Sequence, residues 1–187
     1  NMNCHKYTEK LYYSFMEAFA YLPICALVNK TSLCIHGGLS PQFEKVDKMK
    51  KKIQRPVNNF DENKLLSDVI WGDPSHEEMV QQSSQLFYDN PRGRGKFFTG
   101  IAVSNFLKGN DLKRIIRAHE CVVNGIEESF KEKCITVFSA SSYDHQDGNS
   151  SGILKIYQQN DKIMPVVFDP LNHLEKADAL YYKVQAF

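Results

Sequence analysis

The pattern of apolar and polar positions predicts a helix in the first part of this 187-residue chain. Apolar side chains recur there at a spacing near the helical period, Thr8 can cap the first turn, and Pro23 marks the end. The apolar positions are Leu11, Phe15, Phe19 and Leu22. We expect this face of the helix to pack into the core.

Short apolar runs bounded by turn residues follow, and they predict strands. Two of them flank the polar stretch 29–32 and predict a hairpin, and the last two predict a closing antiparallel pair. The predicted strands are residues 24–28, 33–35, 115–118, 134–138, 153–157 and 164–168, with a short helix at 101–107. Strands mixed with helices predict an α/β (α+β mixed) fold. One domain is expected at residues 1–170, followed by a tail, 171–187, which can be helical and either packs on the domain or binds a partner.

Three of the predicted strands end at side chains that can do chemistry. His36 follows one apolar run, His119 follows a second and Tyr143 follows a third. Because functional residues in α/β proteins lie at the carboxyl ends of strands, we expect these side chains at one edge. Two neutral imidazoles can bind a metal such as Mn, Fe or Zn, and a phenol can donate a hydrogen bond to a phosphate oxygen. A hydrolytic two-metal centre normally also has carboxylate ligands, which this pattern lacks.

Five motifs, in this order, resemble those of the PPP-family serine/threonine protein phosphatases of the calcineurin-like metallophosphoesterase superfamily. They are His36-Gly37-Gly38-Leu39-Ser40-Pro41, Leu66-Ser67-Asp68-Val69-Ile70-Trp71-Gly72-Asp73-Pro74, Pro91-Arg92-Gly93, Arg117-Ala118-His119-Glu120 and Ser139-Ala140-Ser141-Ser142-Tyr143. The match extends to about Asp169 and covers the C-terminal half of the family's catalytic domain. The resemblance therefore implies half of a metallophosphoesterase β-sandwich flanked by helices. The family's upstream motifs, Gly-Asp-x-His-Gly, Gly-Asp-x-x-Asp-Arg-Gly and Gly-Asn-His-Glu, have no counterpart in this sequence.

The resemblance also implies roles for individual residues. His36 and His119 would be ligands in a centre of two divalent or trivalent metal ions (Mn, Fe or Zn), with the remaining ligands expected from the absent N-terminal half. Arg92 takes the place of the family's substrate-binding arginine. Tyr143 and Asp73 would shape the catalytic pocket around the phosphate.

Other positions in these motifs receive more modest interpretations. Trp71 is expected to be a core residue, and Arg117 is expected to be structural or to contact the metal ligands from behind. Arg94 is the alternative to Arg92 as the phosphate-binding arginine. Thr99 stands where relatives commonly have glycine, which leaves the local turn open. Beyond Tyr143, His145 and Asp147 suggest a separate metal site only weakly, whereas the altered loop suggests altered selectivity.

The function implied by the resemblance is hydrolysis of phosphoserine and phosphothreonine in proteins by water activated by two metal ions. This chain would supply half of the active site and is expected to be inactive alone. Two alternatives stay open: a noncatalytic phosphatase-like binding or scaffold module, and a phosphoesterase for small molecules or nucleotides. The expected partners are phosphoprotein substrates, with a regulatory subunit or domain as a candidate.

Composition agrees with a globular protein, at 42% hydrophobic and 24% charged residues with a net charge of +1. No apolar run approaches a membrane span, and the opening residues lack a signal-peptide segment, so the chain is expected to begin inside a longer one. Six basic residues within 44–55 are interpreted as a solvated helix face, and no nucleic-acid binding is predicted. The five cysteines show no paired spacing, which favours reduced thiols and a cytoplasmic or nuclear location.

Overall fold

The computed structural model describes residues 9–60, 63–76, 84–143 and 148–170, which contain four helices and ten strands. The helices are α1 (Glu9–Ala20), α2 (Met49–Lys52), α3 (Lys64–Trp71) and α4 (Gly100–Asn110). The strands are β1 (Cys25–Val28), β2 (Ser32–Ile35), β3 (Asp73–Pro74), β4 (Phe87–Asp89), β5 (Lys96–Phe98), β6 (Arg114–Arg117), β7 (Ile126–Ser129), β8 (Cys134–Val137), β9 (Ser151–Ile156) and β10 (Ile163–Phe168). This mixture of helices and strands confirms the predicted fold class.

The chain divides into two compact units. Of the described residues, the first unit holds those up to Glu120 together with Glu128–Thr136. The second unit holds Cys121–Glu127 and the described residues from Val137 onward. The predicted tail, 171–187, lies outside the described residues, as do Thr8, His145 and Asp147.

A five-stranded sheet has the strand order β1-β2-β6-β8-β7, and β1, β2 and β6 lie wholly within the first unit. Strands β1 and β2 pair antiparallel from Cys25 opposite Ile35 to Val28 opposite Ser32, which confirms the predicted hairpin. Asn29 and Lys30 make the turn with φ angles of 51° and 60°, the conformation of tight hairpin turns. Strands β2, β6 and β8 run parallel to one another. Their carboxyl ends therefore lie at the same edge of the sheet.

A smaller sheet, in the order β3-β5-β4, was not predicted from the sequence. Strand β3 runs parallel to β5 with Asp73 opposite Phe97, and β4 runs antiparallel to β5. These strands have two or three residues each, which is too short to show an alternating pattern. The sheet matters because it holds Asp73 in a buried, extended position.

Helices α3 and α4 supply much of the core that covers the large sheet. Leu33 and Ile115 on the sheet are fully buried in one apolar cluster with Val69 of α3 and Val103 of α4. Helix α4 confirms the predicted helix at 101–107. Its cap explains the unusual Thr99, whose side-chain oxygen accepts a hydrogen bond from the backbone N–H of residue 102 at 3.3 Å, as N-cap threonines do.

Helix α1 forms as predicted, but the prediction that its apolar side packs into the core is wrong. Only Ala20 is buried in this helix, and the side chains of Phe15 and Phe19 are 54% and 53% exposed. Periodicity specifies an apolar face, but burial also requires an element to cover it. No element among the described residues covers this one.

The second unit contains the antiparallel pair of β9 and β10, with Ile156 opposite Ile163 and Ser151 opposite Phe168, which confirms the predicted closing pair. In the part of the chain that the structure describes, Cys25, Cys34, Cys121 and Cys134 are free thiols. None of the helices within the described ranges has the length and hydropathy that crossing a membrane requires.

Candidate active site

The two predicted metal ligands meet at the carboxyl edge of the large sheet. His36 directly follows β2, and His119 lies two residues beyond the end of the adjacent parallel strand β6. The backbone N–H of Ala118 donates to the His36 carbonyl at 3.0 Å, which joins the two strand ends. The centres of the two imidazole rings are 5.1 Å apart, with the rings edge to face. The structure therefore brings together the pair that the sequence suggested.

The loop after His36 is held against the C-terminal end of α3. The N–H groups of Gly37 and Gly38 both donate to the Val69 carbonyl, at 2.8 and 3.2 Å. A Cβ atom at Gly37 would lie 2.4 Å from the Ile70 carbonyl oxygen, so no larger residue fits without moving the helix. Glycine at this position is what allows the histidine loop and the helix to approach so closely.

Arg117 is a buried arginine behind the two histidines. Its Nε donates to the Gly37 carbonyl at 2.7 Å, and Nη2 donates to the Gly72 carbonyl at 3.0 Å and to Asp73 Oδ1 at 2.9 Å. Its Nη1 donates to Glu120 Oε2 at 2.7 Å. The side chain is fully enclosed. Arg117 thus connects the His36 loop, the end of α3 and β3, in keeping with the structural role expected for it.

Asp73 receives hydrogen bonds from three sides. Besides Arg117, Asn90 Nδ2 donates to its Oδ2 at 2.8 Å and Arg92 Nε donates to the same oxygen at 2.9 Å. Burial acts to raise the pKa of Asp73, but these hydrogen bonds and the charges of Arg117 and Arg92 outweigh it and lower the pKa. Asp73 is therefore an ionised carboxylate that positions Arg92. Its Oδ1 is also 3.9 Å from His119 Nε2.

Arg92, the predicted phosphate-binding residue, lies at the exposed edge of this network. Its side chain is 46% exposed, whereas the Asp73 side chain that holds its Nε is 1% exposed. Its backbone N–H also donates to Asn90 Oδ1 at 3.0 Å. Held at Nε, the guanidinium presents its two terminal nitrogens as the fork that suits phosphate oxygens.

Trp71 is part of the site, and its interpretation as a core residue is wrong. Its ring is 5.2 Å from that of His119, edge to face at 85°, and it is only half-buried. The Cζ atom of Arg94 lies 4.6 Å from the centre of the indole on the Trp71 side chain, within cation–π range. The indole thus lies between a predicted metal ligand and a second arginine.

The electrostatics of the site favour neutral imidazoles. Burial lowers the pKa of His119 to about 4, and the positive charge of Arg117 adds to this effect against the attraction of Asp73. Burial, followed by the Arg117 charge, also lowers the pKa of His36. The Nε2 atom of His119 is buried and has no hydrogen-bond partner among the described residues. A neutral imidazole with an unused buried nitrogen is in the form that binds a metal.

These residues fit part of a metal centre. Two neutral imidazoles suit a transition metal of the Mn, Fe or Zn type, and the unpartnered nitrogen of His119 is a group that such an ion would satisfy. Among residues 9–60, 63–76, 84–143 and 148–170, however, no group of three or more histidine, cysteine, aspartate or glutamate residues is arranged to hold an ion. His36 and His119 therefore stay predicted metal ligands.

Tyr143 belongs to the second unit, so its predicted role beside the phosphate stays a prediction. Within that unit its ring packs edge to face on Phe138, with centres 5.2 Å apart, and the side chain is 64% exposed. Its backbone N–H donates to Asn149 Oδ1 at 2.8 Å. Asn149, which is buried, also donates to the Ala140 carbonyl and so shapes the loop that presents the tyrosine.

Asn90 and Glu120 had no individual role in the sequence analysis, and Trp71 had only a structural one. Asn90 bridges Asp73 and the backbone of Arg92, and its place directly before the Pro-Arg-Gly motif was the available signal. For Trp71, the only indication of a place in the site was its position two residues before Asp73 in the same motif. The carboxylate of Glu120 accepts a hydrogen bond from Arg117 Nη1.

Comparison with known proteins agrees with this architecture. The family model for the calcineurin-like phosphoesterase matches residues 3–123. The chain is 30% identical over 186 residues to the serine/threonine-protein phosphatase PP2A-like PPG1 of Saccharomyces cerevisiae. This alignment covers 96% of this chain and 50% of that protein. The solved structure of a Saccharomyces cerevisiae protein serine/threonine phosphatase with similarity to human phosphatase PP5 matches with a TM-score of 0.76 and 25% identity, covering 91% of this chain and 54% of that one.

This chain spans about half the length of both relatives. The family match includes His36, Asp73, Arg92 and His119, the four predicted site residues that the structure brings together. The resemblance of the motifs to the PPP-type serine/threonine protein phosphatases is confirmed, and the chain belongs to the calcineurin-like phosphoesterase family.

Proposed function

We propose that the complete protein hydrolyses phosphoserine and phosphothreonine esters in proteins, and that this chain supplies half of the active site. The observation that carries the proposal is the pairing of His36 with His119, whose Nε2 atom is buried and has no hydrogen-bond partner in the part of the chain that the structure describes. The similarity to serine/threonine phosphatases over 96% of the chain supports the same reaction and substrate class.

In this mechanism His36 and His119 are metal ligands, and the other ligands come from outside the described residues. When bound, the metal pair supplies an activated water and polarises the phosphoryl group. Mn, Fe and Zn are the ions that suit the imidazole pair. Because burial keeps both imidazoles neutral at physiological pH, no proton has to leave them before binding.

Arg92 holds the phosphoryl oxygens in the proposed reaction. Its terminal N–H groups would bind two oxygens at once and balance the charge that develops during transfer. Arg117 contributes indirectly, because it fixes Asp73, which in turn holds Arg92 Nε at 2.9 Å. Tyr143 is proposed as a further hydrogen-bond donor to the phosphate. The free thiols support a reducing compartment, the cytoplasm or the nucleus.

Manganese-dependent hydrolysis of a phosphopeptide tests the proposal, measured for the 187-residue chain and for a longer form that includes the upstream half. We expect turnover by the longer form alone, and its loss in that form with His119→Ala. The matched control is His76→Ala, at an exposed histidine in the same unit, which should keep most of the activity.

Other outcomes point to other functions. Retained activity with His119→Ala would remove this residue from the metal site. An inactive longer form would favour the binding or scaffold alternative. Faster turnover of a nucleotide than of the phosphopeptide would favour the small-molecule phosphoesterase.

A further inference from the structure

A groove with an apolar floor is lined by the chain just beyond α1, by strand β1 and by the stretch 46–55 that contains α2. Its volume is about 730 Å³, within the range of ligand-binding sites. All of these segments belong to the first compact unit, and none of the predicted catalytic or metal-binding residues lines the groove. The apolar lining side chains are Pro23, Ile24, Leu27, Val46, Met49 and Ile53.

The floor of this groove belongs to the core, whereas parts of its wall are exposed. Met49 and Ile53 are buried members of the main apolar cluster, and Ile24 packs against that cluster. Tyr21 and Leu27, which also line the groove, are 55% and 46% exposed. A floor fixed by core packing can accept an apolar side chain without a change of fold.

The groove also has basic side chains. Lys50 and Arg55 line it, and none of its lining residues within the described ranges is acidic. They belong to the stretch 45–55, which has six basic residues and a single acidic one. The amino groups of Lys45 and Lys52 donate to backbone carbonyls elsewhere in the protein. Lys50 and Arg55 therefore give the groove two positive charges.

Both charges are available to a partner. Arg55 Nη1 donates to the Tyr21 carbonyl at 2.8 Å, which holds the guanidinium beside the groove. This bond uses one of its five N–H donors, and a neutral carbonyl does not cancel its charge. Across the part of the chain that the structure describes, neither Lys50 nor Arg55 forms an ion pair with a carboxylate. The groove is thus suited to a partner with negative charge.

We propose that this groove binds an acidic segment of a partner protein. A large apolar side chain of the segment would contact the floor, and its carboxylates would lie beside Lys50 and Arg55. Burial of the apolar side chain supplies affinity, and the charges supply selectivity. Nucleic acid fits less well, because its bases need aromatic side chains for stacking and Tyr21 is the one aromatic residue among the described lining residues.

Peptide binding tests this inference without requiring turnover. The probe is a short fluorescein-labelled peptide in which leucines recur at helical spacing and glutamates flank them. Two comparison peptides replace glutamate with glutamine, or leucine with serine. Fluorescence anisotropy gives the affinities for the 187-residue chain and for the longer form that includes the upstream half. Circular dichroism checks that each variant is folded.

We expect the glutamate peptide to bind about tenfold more tightly than the glutamine peptide, since each of two exposed charge pairs contributes up to about fivefold. Added salt should reduce this preference. The variant Lys50→Glu should remove most of it, whereas the matched charge reversal Lys108→Glu, at an exposed lysine of α4 outside the groove, should preserve it.

A second pair of variants tests the apolar wall. Leu27→Ser should weaken binding of the glutamate peptide about tenfold, because apolar contact is lost. Ile101→Ser is the matched control, since Ile101 is 43% exposed and lies outside the groove, and it should leave the affinity unchanged. The serine peptide should bind more weakly than the leucine peptide to the unchanged protein.

The proposal is overturned by equal affinity for the glutamate and glutamine peptides, or by equal effects of the two lysine reversals. Binding that neither Leu27→Ser nor the serine peptide weakens also overturns it, as does the absence of binding at millimolar peptide. Binding by the 187-residue chain alone would mean that the upstream half covers the groove, which excludes a partner. Tighter binding of a phosphatidylserine vesicle or an oligonucleotide than of any peptide would assign the basic residues to that anion instead.

Discussion

Replacing Arg117 with methionine tests whether the buried hydrogen bonds and ion pairs of this arginine stabilise the fold. Methionine keeps much of the side-chain length but removes the charge and every N–H donor. The change deletes hydrogen bonds to the carbonyls of Gly37 and Gly72 and to the carboxylates of Asp73 and Glu120. It also leaves the Asp73 carboxylate, which is 1% exposed, without its buried partner.

The expected loss of unfolding free energy is about 3–5 kcal/mol, the range for removing one partner of a buried ion pair. Asn90 and Arg92 still contact Asp73, so the lower part of this range applies if they compensate. For a chain of this size each kcal/mol lowers Tm by roughly 2–4 °C, so a decrease of about 10 °C is expected. That loss is a large fraction of a typical domain stability of about 5–15 kcal/mol.

Urea unfolding followed by Trp71 fluorescence measures this loss, with thermal unfolding as a second measurement. Arg114→Met is the matched control on the same strand, where Nη1 donates to the Ser32 hydroxyl at 2.9 Å. This residue is only half-buried, so we expect a loss of about 1 kcal/mol or less. Equal losses for the two variants would refute the claim that the Arg117 network contributes specifically to stability.

Three further predictions concern stability. In metal-free buffer, the free energy of unfolding should fall as pH decreases from 6.5 to about 4, because His119 binds a proton in the unfolded chain before it does so in the folded protein. The loss is at most about 3 kcal/mol. The variant His119→Gln should have a flatter profile of unfolding free energy against pH. Gly37→Ala should lower Tm, because the added Cβ would collide with the Ile70 carbonyl oxygen. Gly109→Ala should raise Tm, because its Cβ has open space inside α4 and alanine is favoured over glycine in a helix by about 0.5–1 kcal/mol of unfolding free energy. Thr99→Ala should lower the unfolding free energy by about 1 kcal/mol through loss of the α4 cap, and Thr99→Gly by only a few tenths, as measured by urea unfolding.

Each of these predictions has an outcome that contradicts its reasoning. A pH profile unchanged by His119→Gln would mean that another group dominates the acid sensitivity. Equal Tm values for the two glycine variants would mean that the histidine loop can move away from α3. A Thr99→Gly loss as large as that of Thr99→Ala would point to side-chain packing instead of the cap.

Local patterning predicted most of the regular structure. The hairpin of β1 and β2, helix α4, strand β6 and the pair of β9 and β10 all appear where apolar periodicity and turn residues indicated them. The sheet of β3, β4 and β5 was missed, because strands of two or three residues carry no periodic signal and exist only through their pairing.

The sequence by itself determined which side chains follow the ends of the strands, since His36 and His119 are positioned by the apolar runs before them. The tertiary structure decided that these strands are parallel neighbours, which brings the two imidazoles together. It also decided that Trp71 lies beside His119 and that the apolar face of α1 is exposed. Local sequence sets the direction and periodicity of a segment, whereas adjacency, burial and the resulting pKa values depend on segments distant in the chain.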